Sequence, residues 1–287
     1  MATAYRSPSH AEEVRNWCRA TLMRWPVPHQ IHVIDTSLGE THVLSAGEED
    51  GDAVCIYLPG TNFTTSSSSG VLEKLATRLH LYAADLPGQP GLSAPVRPKD
   101  EVAGYSGWVD QLVSWVHSRH PNARVVLAGH SRGSAVSMLV NPDTVHGLAL
   151  ISPAGLIAVR PTRQMLQATL PWLLRRNAAG ARRLLEYMSG GRRTPAPEQI
   201  EWMTLVARMC RTTGAPSALP DNVLNRWKGR YVRVIVGDQD VFFPVGKLRE
   251  VCLSELGTNP VVLQGAGHLL VDEEPEQVAA LIAELLR

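Results

Sequence analysis

Short, almost uninterrupted apolar runs recur along the chain, and each ends at glycine, proline or another residue common in turns. A run without polar alternation indicates a strand buried on both faces, as in a parallel sheet covered by helices. The runs occupy residues 53–58, 79–84, 124–128, 145–151, 231–236 and 260–263. The pattern therefore predicts a set of buried, mostly parallel strands.

Segments with helical spacing of apolar residues precede, separate and follow these runs. They cover residues 12–25, 70–78, 104–118, 134–140 and 271–287. Two further short strands are predicted at 31–35 and 41–45, on either side of a turn at Gly39. The alternation predicts an α/β fold, with a mostly parallel central sheet flanked by helices. In such folds ligands bind beyond the carboxyl ends of the strands.

One long interval, residues 154–228, breaks this alternation. It has no strand pattern, but helical spacing appears at 164–176, 181–188 and 198–211. We predict that it is a helical lid inserted over the strand ends, and that residues 1–153 and 229–287 form the core.

Composition narrows the class of protein. The 287 residues include 28 basic and 27 acidic ones, a net charge of +1, which argues against nucleic acid as the main partner. No apolar run reaches the roughly 18 residues that a membrane span requires. The four cysteines lack metal-ligand spacing, and their scatter suits a reducing compartment, so we expect a cytoplasmic protein. No metal cluster or glycine-rich phosphate loop is present, so we expect neither metal nor cofactor.

The strongest chemical signal is the segment Gly-His-Ser-Arg-Gly at residues 129–133, which lies between a predicted strand and a predicted helix. A nucleophile elbow requires this context, because a sharp turn lifts the serine hydroxyl clear of the backbone. The residues two positions before and after the serine must be small, and here both are glycine. We predict that Ser131 is a nucleophile.

A serine hydroxyl needs a base to remove its proton, and the base needs an acid to orient it. His268 follows the last predicted strand and is the best-placed base. His130 precedes the serine, but its side chain should point away from the nucleophile and serve packing. Either Asp238 or Asp240 could be the acid, since both follow the strand at 231–236. The order serine, aspartate, histidine is typical of one hydrolase fold.

The chain resembles the α/β-hydrolase superfamily, especially its carboxylesterase-like serine hydrolases with a helical lid. The resemblance spans nearly the whole chain and depends on residues 59–61, 85–93, 129–133, 237–240 and 267–268. The family motif Gly-x-x-Asp ends in the catalytic aspartate, which favours Asp240 over Asp238. The loop at 85–93 departs from the family pattern through Pro90, and we interpret it as structural.

The resemblance also implies an oxyanion hole made of backbone amides. One donor would be Arg132, directly after the nucleophile. The family's second donor follows a His-Gly pair, and this chain has Pro59-Gly60 instead, which makes Thr61 the matching donor with Asn62 close behind. Candidates for substrate binding are Asn62, Phe242, Leu269 and Trp172.

These features favour a carboxylesterase that cleaves a small or medium apolar ester through an acyl-enzyme. The alternatives are a thioesterase or acyl-transferring cyclase acting on carrier-bound chains, and a non-catalytic ligand-binding module.

The predicted lid is rich in arginine: residues 160–193 contain eight arginines and one acidic residue, Glu186. They predict either the solvated face of an amphipathic lid or a surface for an anionic partner, such as an acidic carrier protein or a membrane. The arginines are Arg160, Arg163, Arg175, Arg176, Arg182, Arg183, Arg192 and Arg193.

Overall fold

A computed structural model describes residues 3–49 and 52–286. Its centre is an eight-stranded sheet with the order β1-β2-β4-β3-β5-β6-β7-β8. The strands are β1 (His29–Thr36), β2 (Gly39–Ala46), β3 (Ala53–Leu58), β4 (His80–Ala84), β5 (Arg124–His130), β6 (Gly147–Ile151), β7 (Val232–Gly237) and β8 (Val261–Leu263). All the strands expected from the apolar runs are present, within one or two residues of the predicted bounds.

The sheet is mostly parallel. β1 and β2 form an antiparallel hairpin and β2 pairs antiparallel with β4, whereas the pairs from β4 through β3, β5, β6 and β7 to β8 are parallel. The α/β fold class predicted from the sequence is therefore confirmed. Because the parallel strands share one direction, the segments that follow β3, β5, β7 and β8 emerge at the same edge of the sheet.

Helices cover both faces of the sheet. The core-flanking helices are α1 (Pro8–Met23), α2 (Ser69–Ala76), α3 (Glu101–Arg119) and α4 (Arg132–Ser137), and, after β7, α9 (Val245–Val251), α10 (Leu270–Glu273) and α11 (Pro275–Ala283). One apolar cluster joins the sheet to α3, α4 and α9, and a second joins the other face to α2, α10 and α11. The continuous apolar strands are thus buried on both sides.

Two of the differences from the predicted helices have a simple local explanation. The helix predicted over 271–287 is interrupted at Glu274, whose φ of −134° and ψ of 52° are not helical. Pro275 explains the break, because a proline ring disfavours helical geometry in the preceding residue. Helix α9 was not predicted, since it buries only Leu248 and so carries little apolar periodicity.

Between β6 and β7 lie the helices α5 (Arg163–Arg175), α6 (Ala178–Met188), α7 (Pro197–Met209) and the short α8 (Asp221–Leu224). Helices α5, α6 and α7 share an apolar cluster with α1 and with Tyr5. The ring centroids of Trp17 in α1 and Trp202 in α7 are 4.8 Å apart. The N-terminal helix therefore packs against the inserted segment. No helix within residues 3–49 and 52–286 is long and apolar enough to cross a membrane.

Candidate active site

Ser131 lies at a sharp turn between β5 and α4. Its φ of 51° and ψ of −111° are rarely adopted by a residue with a side chain. A Cβ on Gly129 would lie 2.3 Å from the carbonyl carbon of Gly133, and a Cβ on Gly133 would lie 2.1 Å from the carbonyl oxygen of Leu58. Only glycine fits either position, so the two glycines permit the strained turn that presents the serine.

The side chains of Ser131 and His268 line one cavity of about 300 Å³. Ser131 is 6% exposed and is anchored by a hydrogen bond from its backbone amide to the carbonyl of Ile151 in β6, 2.9 Å long. Among the described residues, no hydrogen bond joins the Ser131 hydroxyl to the imidazole of His268. Such bonds often form only when substrate is bound, so both groups face the same space without yet being paired.

Asp240 and His268 form a buried pair. Nδ1 of His268 lies 3.0 Å from Oδ2 of Asp240, and the other oxygen, Oδ1, accepts hydrogen bonds from the backbone amides of Phe242 and Phe243 at 2.8 and 3.0 Å. Asp238 is engaged differently, because its carboxylate accepts a hydrogen bond from the Gly265 amide at 2.7 Å. The two candidate acids therefore have different partners, and Asp240, not Asp238, contacts His268.

The surroundings of Asp240 hold its carboxylate in the ionised form. Burial alone would raise the pKa of Asp240, but the charge of His268 and the hydrogen bonds from His268, Phe242 and Phe243 outweigh burial. The pKa of Asp240 therefore lies below its ordinary value, and its carboxylate stays ionised near neutral pH. An ionised acid fixes the Nδ1–H tautomer of His268, which leaves Nε2 free to accept a proton.

His130 lies closer to this pair than expected. Its side chain does not point away: it lines the same cavity, its ring centroid is 5.2 Å from that of His268, and its Nε2 lies 2.9 Å from the backbone carbonyl of His268. Burial, and then the charge of His268, lower the pKa of His130 to about 3. A neutral His130 donates a hydrogen bond from Nε2 to that carbonyl and supports the loop.

The loop after β3 supplies backbone amides beside Ser131. A Cβ on Gly60 would lie 3.4 Å from the Cβ of Ser131, which shows how closely the loop approaches. The Asn62 amide is already bonded to the side chain of Gln89, at 3.2 Å. The amides of Thr61 and Arg132, by contrast, have no acceptor in the described part of the chain. For the second donor of the oxyanion hole, the amide of Thr61 is therefore available and that of Asn62 is not.

The side chain of Arg132 connects this region in a way that the motif did not indicate. It is 2% exposed, pairs with Glu101 at 2.9 Å and donates to the Gly214 carbonyl at 2.9 Å. Its Nε also donates to the hydroxyl of Thr61, 3.3 Å away. One guanidinium therefore joins the elbow, the loop after β3 and the segment that follows α7.

The inserted helices are also hydrogen-bonded to the site loops. The indole of Trp202 in α7 donates to the Asn62 carbonyl at 2.8 Å, and the His268 amide donates to the Met188 carbonyl at the end of α6, also at 2.8 Å. The Asn62 backbone has a φ of 64°, in the left-handed region that asparagine tolerates better than most residues. Folding of the insertion thus fixes both loops beside Ser131.

Three of the expected substrate-binding residues, Asn62, Trp172 and Phe242, line the cavity. Leu269 does not, and its assignment to the substrate pocket was wrong. Its side chain is 2% exposed and packs in the apolar cluster of α1, α5, α6 and α7, because the turn after His268 directs it behind the cavity wall. Much of the lining comes from helical residues that were not among the predicted substrate-binding residues. They are Met165, Thr169, Leu184, Met188 and Met203.

Comparisons with known proteins agree with this architecture. Carboxylesterase YbfK of Bacillus subtilis is 22% identical over 278 residues, covering 93% of this chain and 90% of that protein. Its crystal structure, described as carboxylesterase CesB (YbfK), superposes with a TM-score of 0.79 at 20% identity, covering 97% of this chain and 98% of that one. The crystal structure of naproxen esterase from the same organism gives a TM-score of 0.80 at 18% identity, covering 98% and 100%.

The family model described as "Alpha/beta hydrolase family" matches residues 55–281, which include the elbow and the Asp240–His268 pair. The resemblance to carboxylesterase-like α/β hydrolases that the motifs indicated is confirmed by these matches. The chain belongs to the alpha/beta hydrolase family.

Proposed function

We propose that the protein is a serine carboxylesterase in which Ser131, Asp240 and His268 act as a catalytic triad. The observation that carries the proposal is the 3.0 Å contact between Asp240 and His268, in a cavity that also receives the Ser131 elbow. The carboxylesterase relatives support the reaction class.

The reaction begins when the Ser131 hydroxyl attacks the ester carbonyl and its proton passes to Nε2 of His268. The negative oxygen of the tetrahedral intermediate accepts hydrogen bonds from the amides of Thr61 and Arg132. The alcohol then leaves with the proton from His268, and Ser131 retains the acyl group. Water attacks this acyl-enzyme by the same route in reverse, releasing the acid and restoring the serine. Asp240 keeps the imidazole oriented throughout.

The cavity favours a small-molecule ester with apolar groups. Apolar side chains, among them three methionines and three phenylalanines, form just over half of its wall. Besides Ser131 and the two histidines, polar groups lie at Thr61, Asn62, Thr169, Thr213 and Ser217. A volume of about 300 Å³ is at the lower end of the range for small-molecule sites, so a compact ester suits it. We propose the same cavity for the alternative thioester substrates, which would differ only in the leaving group.

We also propose that residues 154–228 act as the lid of the site, a role supported by the cavity-lining residues of α5, α6 and α7. A cytoplasmic location remains our proposal as well. It is supported by Cys18, Cys55, Cys210 and Cys252, which are all buried and unpaired.

The test combines covalent labelling with turnover. A fluorophosphonate probe should label Ser131, and Ser131→Ala should abolish labelling and lower kcat on p-nitrophenyl esters by about a millionfold. Ser217→Ala is the matched control, because Ser217 lines the same cavity but is exposed. Paired oxygen esters and thioesters with one acyl group distinguish the two substrate classes. Retention of more than a few per cent of activity by Ser131→Ala would refute the proposed mechanism.

A further inference from the structure

Helix α5 presents apolar residues on two different faces. Met165, Thr169 and Trp172 line the cavity that contains Ser131. Leu166, Leu170 and Leu174 are spaced four residues apart, so they form one stripe along the helix. These leucines are 46, 47 and 77% exposed. A lid helix that only covers a pocket would carry polar residues on its outer face, so the outer stripe requires another explanation.

Unpaired arginines lie at both ends of the stripe. Arg163 precedes Leu166 by one turn, while Arg175 and Arg176 directly follow Leu174, and all three are exposed. Within the described residues none of them forms an ion pair with a carboxylate, although arginines elsewhere, such as Arg230 and Arg233, do. We call Arg163, Leu166, Leu170, Leu174, Arg175 and Arg176 the outer face of α5.

We propose that the outer face of α5 docks on an anionic lipid surface. Exposed leucines on one face of a helix can enter the boundary between headgroups and acyl chains, and arginines at its ends can bind the lipid phosphates. An acidic protein would use the arginines but would leave the leucine stripe without a role. A lipid surface uses both, and charge complementarity makes that surface anionic.

Docking would place the site next to the lipid. The cavity-lining face and the outer face belong to the same helix, about a third of a turn apart, since each residue advances the helix by about 100°. An apolar ester partitioned into the lipid would then have a short path to the cavity. This delivery role rests on the proposed esterase function, whereas docking itself does not.

Co-sedimentation of the full chain with vesicles tests the docking. One set of vesicles is pure phosphatidylcholine, and the other contains phosphatidylglycerol as the anionic lipid. We expect binding to the anionic vesicles and at least tenfold weaker binding to the neutral ones. Added salt should weaken the binding, because salt screens exposed charges.

Two variants separate the contributions. The triple change Leu166→Gln, Leu170→Gln and Leu174→Gln should weaken vesicle binding at least tenfold, and Arg163→Glu with Arg175→Glu should do the same. Leu253→Gln is the matched control, since Leu253 is 48% exposed on a different part of the surface. Circular dichroism checks that each variant is folded.

Failure of the wild-type chain to bind anionic vesicles would overturn the proposal. So would a leucine variant that binds as tightly as the wild type while the arginine variant does not, because that result shows that the arginines attract anionic groups and the leucine stripe has no part in docking. Vesicle binding is measured independently of ester hydrolysis. A chain that binds but cleaves no ester would contradict the proposed function and leave the docking supported.

Discussion

Replacement of Asp240 by asparagine tests how the acid of the proposed triad works. The change keeps shape and volume but replaces one oxygen by an NH2 group. Oδ1 of Asp240 accepts two backbone hydrogen bonds, from Phe242 and Phe243. An asparagine will keep its oxygen on those two amides, which directs its NH2 group toward Nδ1 of His268. His268 must then carry its proton on Nε2, where it cannot accept the proton of Ser131.

The size of the effect follows from the two backbone amides. To restore the productive tautomer, the asparagine must turn its oxygen to His268 and leave both amides facing an NH2 group. Each buried amide without a partner costs about 1–3 kcal/mol, so the turn costs roughly 2–6 kcal/mol. A midpoint of about 4 kcal/mol corresponds to roughly a thousandfold loss of kcat/KM, since about 1.4 kcal/mol is tenfold.

The assay is steady-state hydrolysis of a p-nitrophenyl ester, with Asp238→Asn as the control. Asp238 accepts one hydrogen bond, from the Gly265 amide, and an asparagine oxygen accepts it equally well. We expect Asp238→Asn to stay within a few-fold of the wild type. The reasoning would be refuted if Asp240→Asn retained more than about a tenth of the activity, or if Asp238→Asn were the inactive variant.

Two further predictions concern stability. Gly133→Ala should destabilise the protein by about 3 kcal/mol, measured as a fall in Tm, because the new Cβ would lie 2.1 Å from the Leu58 carbonyl oxygen. Gly246→Ala, a helical position with open space around its Cβ, should be neutral or stabilise by up to about 1 kcal/mol. Equal Tm values for the two variants would contradict this prediction. Burial, and then the charge of Glu273, raise the pKa of Asp272 to about 7. The folded chain therefore retains a proton that the unfolded chain releases above pH 4, and this lowers stability as pH rises from about 4 to about 7. In urea unfolding at pH 8, Asp272→Asn should have a higher free energy of unfolding than the wild type, and this gain should vanish near pH 4. A gain that is independent of pH would contradict the raised pKa of Asp272.

Some features of the protein followed from local sequence alone. Apolar runs located the strands because residues buried on both faces of a sheet need no polar alternation. The elbow was recognisable because its steric demands fall on Gly129 and Gly133, which are only two residues from Ser131. The position of His268 followed from chain order, since the segments after parallel strands meet at one edge of the sheet. Pro275 could have indicated the break before α11, because its effect on Glu274 is also local.

Other features depended on contacts between residues distant in sequence, which no local pattern encodes. Arg132 contacts Thr61 and Gly214, which are 71 and 82 residues away. Leu269 was misassigned because its neighbour His268 faces the cavity while Leu269 itself faces the helical cluster. The rotation of α5 about its axis is a further case. Its sequence contains enough apolar residues for two faces, and only packing against α6 and α7 decides that Trp172 is buried and Leu174 is exposed. Local sequence determined which chemistry is available, and tertiary packing decided which side chains can reach it.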